Sequence, residues 1–561
     1  MKPSILRAAL AMFAVLLAGC DRSSDDVAVF EDDSGILQYI PADSAYAYVR
    51  LEPMPDELTE RFAAVNAAAL AHNQAMMGEL AEVMPDDEEA AKAIRQLVEL
   101  AQDLSSPGGM ERIGIDPVAP YAVYDIDLVP VFRAGLNDPD ALAEIIANLE
   151  TAFDFEAERS TLGDVDYSYF DFDGVRLIWV TSGSSLVVTV SHADASDESL
   201  SAQLGITAPS ENMAESGELA AIAGEFGFMP QGMGFMDTLR FIDGVFDPGG
   251  LLGNLAGEQP EALTDACRAE IRSAVGNVPR VAVGVTRADA AAVEGSMVVV
   301  LRDALASDLQ GLTAAVPGLG QSATALFSGG FSFDASVARK FVENRLAEMA
   351  ESPFECEFLA NGNEAIDQAQ AFLNRQPLPP TLYDLRGMYM SVDGIDVQQL
   401  MQQQPPESAE VDVILAMKNP ESLTAMGALF VPGFAELGLK QDGELREIPD
   451  GVLNPTGMPL WVAMTDERLS LSLGSEAQER LSKLMALQAN RDAPLTHFDF
   501  NAGAYFALIS DMMPVAQQQD MIDLDTTAAL MDAMADAYDR LDISLDVHEK
   551  GLIFTSGITL K

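Results

Sequence analysis

Residue types that carry catalysis are sparse in this sequence. Its four histidines, His72, His192, His497 and His548, stand in no HExxH or other zinc-binding spacing. There is no Gly-x-Ser-x-Gly elbow for a nucleophilic serine and no Gly-x-x-x-x-Gly-Lys-Ser/Thr loop for a nucleotide phosphate. A dispersed Ser-His-Asp triad leaves no sequence signature and stays open. We therefore predict a protein that is not an enzyme, and we assign it no cofactor, no catalytic residue and no metal-binding residue.

Carboxylates are abundant, so only their clusters are informative. Asp164, Asp166, Asp171 and Asp173 surround a tyrosine-rich segment and offer the oxygen ligands that Ca²⁺ prefers. The EF-hand pattern is incomplete there, because a third ligand in register and the glutamate at position twelve are missing. Asp173 followed by Gly174 is better explained as a hairpin turn before the next strand.

A second carboxylate pair lies earlier in the chain. Asp125 and Asp127 alternate along a predicted strand, and we expect both to face solvent. Paired catalytic carboxylates of the glycosidase type are defined by their separation in space, which the sequence does not give.

The N-terminus predicts export and lipid attachment. Lys2 and Arg7 accompany an apolar stretch of ten residues, 8–17, which is too short to span a bilayer and is typical of a signal peptide. The following Leu-Ala-Gly-Cys resembles the bacterial lipobox, whose cysteine is lipidated and becomes the first mature residue. The resemblance implies a lipoprotein acylated at Cys20 with chains such as palmitate; the alternative is a secretory signal with a chance cysteine. Asp21 resembles the inner-membrane retention signal of enteric bacteria, which favours the periplasmic face of the inner membrane over the outer membrane.

The other two cysteines form an even pair. In an oxidising compartment the default expectation for Cys267 and Cys356 is a disulfide. The alternative is two buried, unpaired thiols. Closing a loop of about 90 residues would remove unfolded-state entropy worth about 4 to 5 kcal/mol.

Composition excludes one class of partner. The chain has 32 Lys+Arg against 88 Asp+Glu, a net charge of −56. A surface this negative repels nucleic-acid phosphates and anionic lipid headgroups, so we exclude nucleic-acid binding. Hydrophobic residues make up 48% of the chain, enough for sizeable cores. An excess of acid with few lysines is typical of proteins from salty surroundings, where ions screen the repulsion; an ordinary acidic protein is the alternative.

Self-similarity between the two halves is the most informative pattern. The only two tryptophans, Trp179 and Trp461, lie in similar contexts 282 positions apart. Upstream of each, a strand leads into a helix that begins near Pro139 or Pro420, 281 positions apart. Each half then closes with an alternating hairpin, 281–300 in one and 543–560 in the other. The spacing predicts two copies of one unit, the first with about twenty extra residues.

These patterns give the fold class and the domain boundaries. We predict an α+β protein of two tandem pseudo-equivalent repeats, each a mainly antiparallel sheet with helices on one face. A single continuous sheet built from both copies is also compatible with the pattern. The predicted segments are a signal peptide (1–19), an acidic tether (20–35), repeat A (36–302), a connector (303–324) and repeat B (325–561).

The extra length of repeat A contains a segment rich in Gly, Met and Phe. Such residues make an adaptable apolar surface, and we consider them a candidate apolar binding site. The alternative is a bent strand packed into the core, which is the commoner use of such a pattern. The candidate residues are Phe226, Phe228, Met229, Met233, Phe235 and Met236.

The start of the body carries a family resemblance. Pro41-Ala42-Asp43-Ser44 leads into an aromatic-rich strand ending near Val49, not far after the signal peptide. This arrangement resembles uncharacterised bacterial exported proteins of the domain-of-unknown-function 3352 family. The resemblance implies an extracytoplasmic α+β protein and carries over no catalytic residues. The second half lacks the Pro-Ala-Asp sequence.

Three functional hypotheses follow. The first is a non-enzymatic lipoprotein that is anchored to the membrane through its lipid and that binds or scaffolds an envelope protein or another envelope component. The second is a carrier or chaperone for an apolar ligand, lipid or peptide, with the Gly/Met/Phe segment lining a groove. The third is a hydrolase with a dispersed active site.

Overall fold

The structure, a computed structural model, describes residues 35–83, 109–153, 156–172, 174–247, 263–321, 324–375, 379–395, 408–430, 434–451, 454, 457–490, 493–516 and 524–561. The predicted signal peptide, Cys20 and the predicted tether up to residue 34 lie outside these residues. So does Asp173.

Nineteen strands within the described residues form one sheet, and a further two form a separate ribbon. In the first half the strands are β1 (Tyr46–Arg50), β2 (Tyr121–Ile126), β3 (Val129–Gly135), β4 (Glu158–Leu162), β5 (Val165–Phe172), β6 (Val175–Ser182), β7 (Ser185–His192), β8 (Met233–Asp237), β9 (Arg280–Asp289) and β10 (Ala292–Val300). In the second half they are β11 (Val316–Pro317), β12 (Phe327–Ser332), β13 (Leu385–Ile395), β14 (Ala409–Met417), β15 (Arg446–Glu447), β16 (Leu460–Met464), β17 (Arg468–Leu473), β18 (Ala489–Asn490), β19 (Thr496–Asn501), β20 (Tyr538–His548) and β21 (Gly551–Leu560).

The large sheet is antiparallel at every pairing and runs through both halves of the chain. Its order is β4-β5-β6-β7-β3-β2-β1-β8-β9-β10-β21-β20-β19-β12-β13-β14-β17-β16-β15. β11 and β18 make the separate ribbon. The halves join where β10 pairs with β21, with Met297 opposite Phe554. The hairpins expected at 281–300 and 543–560 are confirmed as β9–β10 and β20–β21.

Helices connect the strands and begin at the capping residues that the sequence offers. Asp138 accepts hydrogen bonds from the backbone N–H groups of Asp140 and Ala141, so the predicted helix start at Pro139 is confirmed. The helices of the first half are α1 (Asp56–Val83), α2 (Gly109–Arg112), α3 (Pro139–Phe153), α4 (Asp197–Gln203), α5 (Met213–Ser216), α6 (Glu218–Phe226), α7 (Thr238–Val245) and α8 (Asp265–Val275). Those of the second half are α9 (Asp303–Gln310), α10 (Ala335–Glu351), α11 (Glu357–Arg375), α12 (Pro380–Tyr383), α13 (Glu421–Phe430), α14 (Ala477–Ala486), α15 (Ala502–Ala516) and α16 (Leu524–Ala537), and short 3-10 helices span Ile36–Tyr39 and Phe434–Leu437.

Helices cover both faces of the sheet. On the face that carries Tyr124 and His497, called the first face, α4, α5 and α6 cover the first half and α14 covers part of the second. On the opposite or second face, α2 and α3 pack in the first half, α13 packs in the second, and α1, α15 and α16 pack over the middle strands. The expectation of helices on one face is therefore wrong, because successive strand residues such as Ile178 and Trp179 both enter apolar cores.

The two tryptophans do not occupy matching positions. Trp179 lies in the same apolar cluster as Leu142 of α3, the helix that follows β3. Trp461 lies instead in the cluster that contains Leu481 of α14, whereas its neighbour Val462 shares a cluster with Leu423 of α13, the helix that follows β14. A shift of one residue along a strand moves a side chain to the other face. The 282-residue spacing of the tryptophans is therefore one residue short of the spacing that would keep them on one face.

Candidate functional site

A row of polar side chains crosses the first face in the second half of the sheet. Each member lies directly opposite the next on a neighbouring strand, so their side chains are close neighbours. All but the last are buried, although polar groups avoid the interior unless they are hydrogen-bonded. The row consists of Ser472, Asp412, Ser391, Ser328, Asp499 and Asp542.

Arginines neutralise the two buried carboxylates of this row. Arg480 of α14 places its Nε 3.3 Å from both carboxylate oxygens of Asp412. Arg540 of β20 donates to Asp499 from its Nε over 2.7 Å. Because a buried charge is costly when it lacks a partner, each pair fixes the position of both side chains.

His497 occupies the next position along β19 on the same face. Its Nε2 lies 2.6 Å from an Asp542 carboxylate oxygen, and the residue is only 8% exposed. Across the sheet from His497, Ser544 donates its hydroxyl to Asp546 over 2.9 Å. Burial raises the pKa of the Asp546 carboxyl, and the charge of Asp542 raises it further.

A histidine oriented by a carboxylate is half of the arrangement used for general-base catalysis. The other half is a hydroxyl or thiol that the imidazole activates. Among the described residues no hydroxyl group hydrogen-bonds to His497, since its ring bonds only to Asp542. The geometry therefore places a histidine–carboxylate pair on the first face and completes no triad within the described chain.

The second face carries an exposed apolar strip over the same central strands. Met297 on β10 lies opposite Phe554 on β21, and Ile543 on β20 lies opposite Phe498 on β19. These four residues, called the apolar strip, are between 36% and 42% exposed. Phe327 of β12 stacks against Phe498 with ring centroids 6.2 Å apart. Contiguous exposed apolar residues are typical of interaction surfaces.

The six apolar residues singled out in the sequence do not form a common surface. Met233 and Phe235 lie on β8 and are buried in the first-face core together with Phe228. Phe226 of α6 packs against the same core, and Met229 packs against the cluster around α1. Met236 lies opposite Tyr46 on the second face. These positions fit the alternative of a strand packed into the core, and the sequence reasoning missed the apolar strip.

The structure joins Cys267 and Cys356 in a disulfide, with Cα atoms 4.6 Å apart. Cys267 lies in α8 of the first half and Cys356 just before α11 of the second, so the bond links the two halves. Both sulfurs are buried in an apolar cluster that includes Ile271 of α8 and Leu359 of α11.

The carboxylate cluster around the β4–β5–β6 hairpins is occupied by internal contacts. Asp166 accepts the Thr161 hydroxyl, and Asp171 accepts both the Arg176 guanidinium and the Gly174 N–H. No group of three potential ligands with metal-binding geometry occurs among the residues that the structure describes.

Asp125 corrects another expectation, because it is buried and does not face solvent. Its carboxylate accepts the backbone N–H of Tyr46 over 2.8 Å and that of Leu128 over 3.1 Å. Leu128 and Asp127 form a turn with positive φ, which the Asp125 carboxylate holds. Ser44 of the Pro-Ala-Asp-Ser sequence also donates its hydroxyl to the Asp125 carbonyl. The Ser44 hydroxyl therefore links the start of β1 to the β2–β3 hairpin.

The chain matches no family model, no curated protein and no solved structure. In the part of the chain that the structure describes, no helix has the length and apolar character needed to cross a membrane. The polar row had one sequence signal that could have revealed it: alternating polar residues in Thr496–Asn501 and Tyr538–His548, which place His497, Asp499, Asp542 and Ser544 on one face.

Proposed function

We propose that the protein is a lipoprotein anchored at the periplasmic face of a bacterial membrane, where it binds or scaffolds an envelope component. The address rests on the lipobox-like sequence ending at Cys20 and on Asp21, which favours the inner membrane. The observation that carries the binding role is the apolar strip. Met297, Phe498, Ile543 and Phe554 form an exposed apolar row on neighbouring strands of a chain with a net charge of −56.

The position of the apolar strip supports binding to a partner surface. It lies on four adjacent strands in the middle of the sheet, where backbone pairing on both sides keeps the side chains in fixed positions. A rigid aromatic surface loses little conformational entropy on binding, and aromatic residues dominate the energetics of interfaces. The strongly acidic body around it would repel acidic partners and so add specificity.

Two serine substitutions in the apolar strip test this role. Phe498→Ser with Phe554→Ser removes the aromatic surface, and Ile206→Ser serves as the matched control because Ile206 is 40% exposed in a loop away from the sheet. After crosslinking in the native envelope at high salt, we expect a component that is captured by the wild type and by Ile206→Ser and lost from the double variant. Capture of the same components at equal yield by all three would refute the role of the apolar strip.

The anchor is tested separately by mass spectrometry of the mature protein. Cys20→Ser should abolish acylation and release the protein from the membrane fraction, whereas Ser24→Ala should leave both unchanged. A wild-type protein without acyl chains would overturn the proposed address and would leave the test of the apolar strip unaffected.

A carrier for an apolar ligand is the second candidate, and the same apolar strip favours it. Phe327, Phe498 and Phe500 form an aromatic group at its edge, with the Phe327 and Phe500 rings 5.0 Å apart. Such a surface suits an acyl chain or an apolar peptide. Native mass spectrometry distinguishes the candidates, because a carrier co-purifies with lipid or peptide and a scaffold gives a ligand-free mass.

We further propose that the sheet arose by tandem duplication. The order β6-β7-β3-β2-β1-β8-β9-β10 has the same sequence of connections as β16-β17-β14-β13-β12-β19-β20-β21, which supports two equivalent units. Their last strands pair with each other, as equivalent strands do across a two-fold axis. In an experimental structure the units should superpose with Ile178 on Trp461, a spacing of 283. Superposition at any other register would contradict the proposal.

A further inference from the structure

Arg133 is a buried cation without a carboxylate partner. It lies on β3, is 8% exposed, and forms no ion pair with any residue that the structure describes. Its Nη2 donates to the carbonyl of Leu204 over 3.3 Å, and its guanidinium carbon lies 3.8 Å from the centroid of the Tyr39 ring. Its Nε has no acceptor among the described residues. A buried guanidinium with so few acceptors is costly.

Two half-buried arginines without a carboxylate partner, Arg50 and Arg468, are better satisfied. Arg50 donates to the carbonyls of Pro117 and Ala119, and Arg468 donates to those of Met485 and Leu487. Arg133 has one long bond to a carbonyl where each of these has two. Its guanidinium therefore retains donor capacity that the described chain does not use.

More unused polar groups lie beside it. Gln203 is the last residue of α4 and adjoins Leu204, whose carbonyl accepts from Arg133. Gln203 is fully buried, and neither its amide nitrogen nor its amide oxygen has a partner among the described residues. The Ser199 hydroxyl, one helical turn earlier on α4, is likewise buried without a described partner. The Tyr124 hydroxyl is also buried without a described hydrogen-bond partner, and it lies close to Arg133.

We propose that Arg133, Gln203 and Tyr124 form an internal binding site for a small oxyanion, either a carboxylate or a phosphate group. Arg133 would supply the charge and the paired N–H donors that such groups accept. The Gln203 amide and the Tyr124 hydroxyl would add neutral donors, and Tyr39 would hold the guanidinium plane from its other side. Gly205 lies so close to Arg133 that a Cβ atom at this position would collide with the Arg133 guanidinium and approach the Tyr39 ring. The site is independent of the apolar strip and of the lipid anchor.

Thermal unfolding with inorganic phosphate or acetate, at constant ionic strength set with NaCl, tests the site. Ligands that bind the folded state raise Tm in a saturable manner. We expect a saturable rise in the wild type with at least one of the two anions, and the more effective anion identifies the ligand class. Arg133→Met should raise the anion concentration needed for a half-maximal rise in Tm at least tenfold. Arg176→Met is the matched control, because Arg176 also lies over a tyrosine but pairs with Asp171 at the surface.

Gln203→Leu keeps the proposal falsifiable if Arg133→Met fails to fold. Removing an unpartnered buried amide should raise Tm without added anion and reduce the anion-dependent rise. A wild type that responds to neither anion overturns the proposal, since the polar groups would then bind water only. An equal response in the wild type, Gln203→Leu and Arg176→Met also overturns it, because the effect would be a general one of the salt.

Discussion

The disulfide between Cys267 and Cys356 permits a quantitative prediction. The bond closes a loop over 89 positions. In the chain-entropy model, opening a loop of this length in the unfolded state lowers the free energy of unfolding by about 4 to 5 kcal/mol. We expect that loss in the Cys267→Ala/Cys356→Ala double variant and, without any loss of side-chain volume, in the wild type reduced with dithiothreitol.

A second contact between the same segments explains why the native geometry should survive the loss of the bond. Glu270 of α8 accepts the backbone N–H groups of Glu355 and Cys356 over 3.0 and 2.9 Å. These hydrogen bonds hold the start of α11 against α8 when the sulfurs are unlinked. The stability lost on reduction should therefore come mainly from the greater freedom of the unfolded chain.

Equilibrium denaturation in guanidinium chloride, followed by circular dichroism, measures the effect. Glu270→Ala should cost about 1 to 3 kcal/mol in the oxidised protein, because it leaves two N–H groups without their acceptor. Its cost should be larger in the reduced protein, where no other covalent bond or hydrogen bond among the described residues joins this segment to α8. Equal unfolding midpoints for the oxidised wild type, the reduced wild type and the double alanine variant would refute the reasoning.

Three further perturbations have defined outcomes. Burial raises the pKa of the Asp125 carboxyl to about 6 from 3.8. Because the folded state then binds this proton more tightly than the unfolded state, the free energy of unfolding should fall by up to about 3 kcal/mol as the pH rises from about 4 to about 6. Asp125→Asn should lose this pH dependence in denaturation series across the same range. Glu476 is exposed and has a φ of +53°, a backbone conformation that glycine adopts more easily than glutamate. Glu476→Gly should therefore raise the free energy of unfolding by up to about 1 kcal/mol. An unchanged or lower value would show that the backbone at Glu476 is not strained. Arg480→Met should cost about 3 to 5 kcal/mol by leaving the Asp412 carboxylate buried without its partner. Lys483→Met, at an exposed pair on the same helix, should leave stability nearly unchanged.

Local patterns predicted the local elements well. The alternation of residues in 281–300 and 543–560 predicted hairpins that the structure contains, and Asp138 before Pro139 predicted the start of α3. These elements are set by neighbouring residues, since side-chain alternation and capping act over a few positions. The order of strands depends instead on contacts between distant segments, such as β10 with β21. One sequence carries no direct signal for such pairing.

The errors have a common physical cause, because side-chain direction in a sheet changes with every residue. The 282-residue spacing of the two tryptophans predicts equivalent positions. A difference of one position is enough, however, to place Trp461 on the face opposite to that expected from Trp179. The alternation of Asp125 with Asp127 predicts that both face solvent. In the structure Asp127 lies in the turn, and Asp125 points inward and accepts two backbone N–H groups. Charge is a weak guide to exposure where backbone donors converge on a carboxylate.

The proposed duplication also explains why the overall composition does not reveal the polar row, because only the second half of the sheet carries it. Phe235 lies opposite Ala47 and Ala282 in the first half, and the corresponding position of the second half holds Asp499 opposite Ser328 and Asp542. The first set is an apolar core that stabilises its half of the sheet by burial. The second set gives up that stabilisation and requires Arg480 and Arg540 to neutralise nearby carboxylates.

A polar replacement of core residues is costly, so its presence in only one half calls for a reason other than stability. The apolar strip lies on the opposite side of the same strands, with Phe498 directly following His497 in β19. Hydrogen bonds and ion pairs depend on direction, whereas apolar packing does not, so the polar row fixes the register of β19 and β20 more tightly than an apolar core would. We infer that this register holds Phe498 and Ile543 in place on the second face, and that stability has been exchanged for the precision of the proposed binding surface.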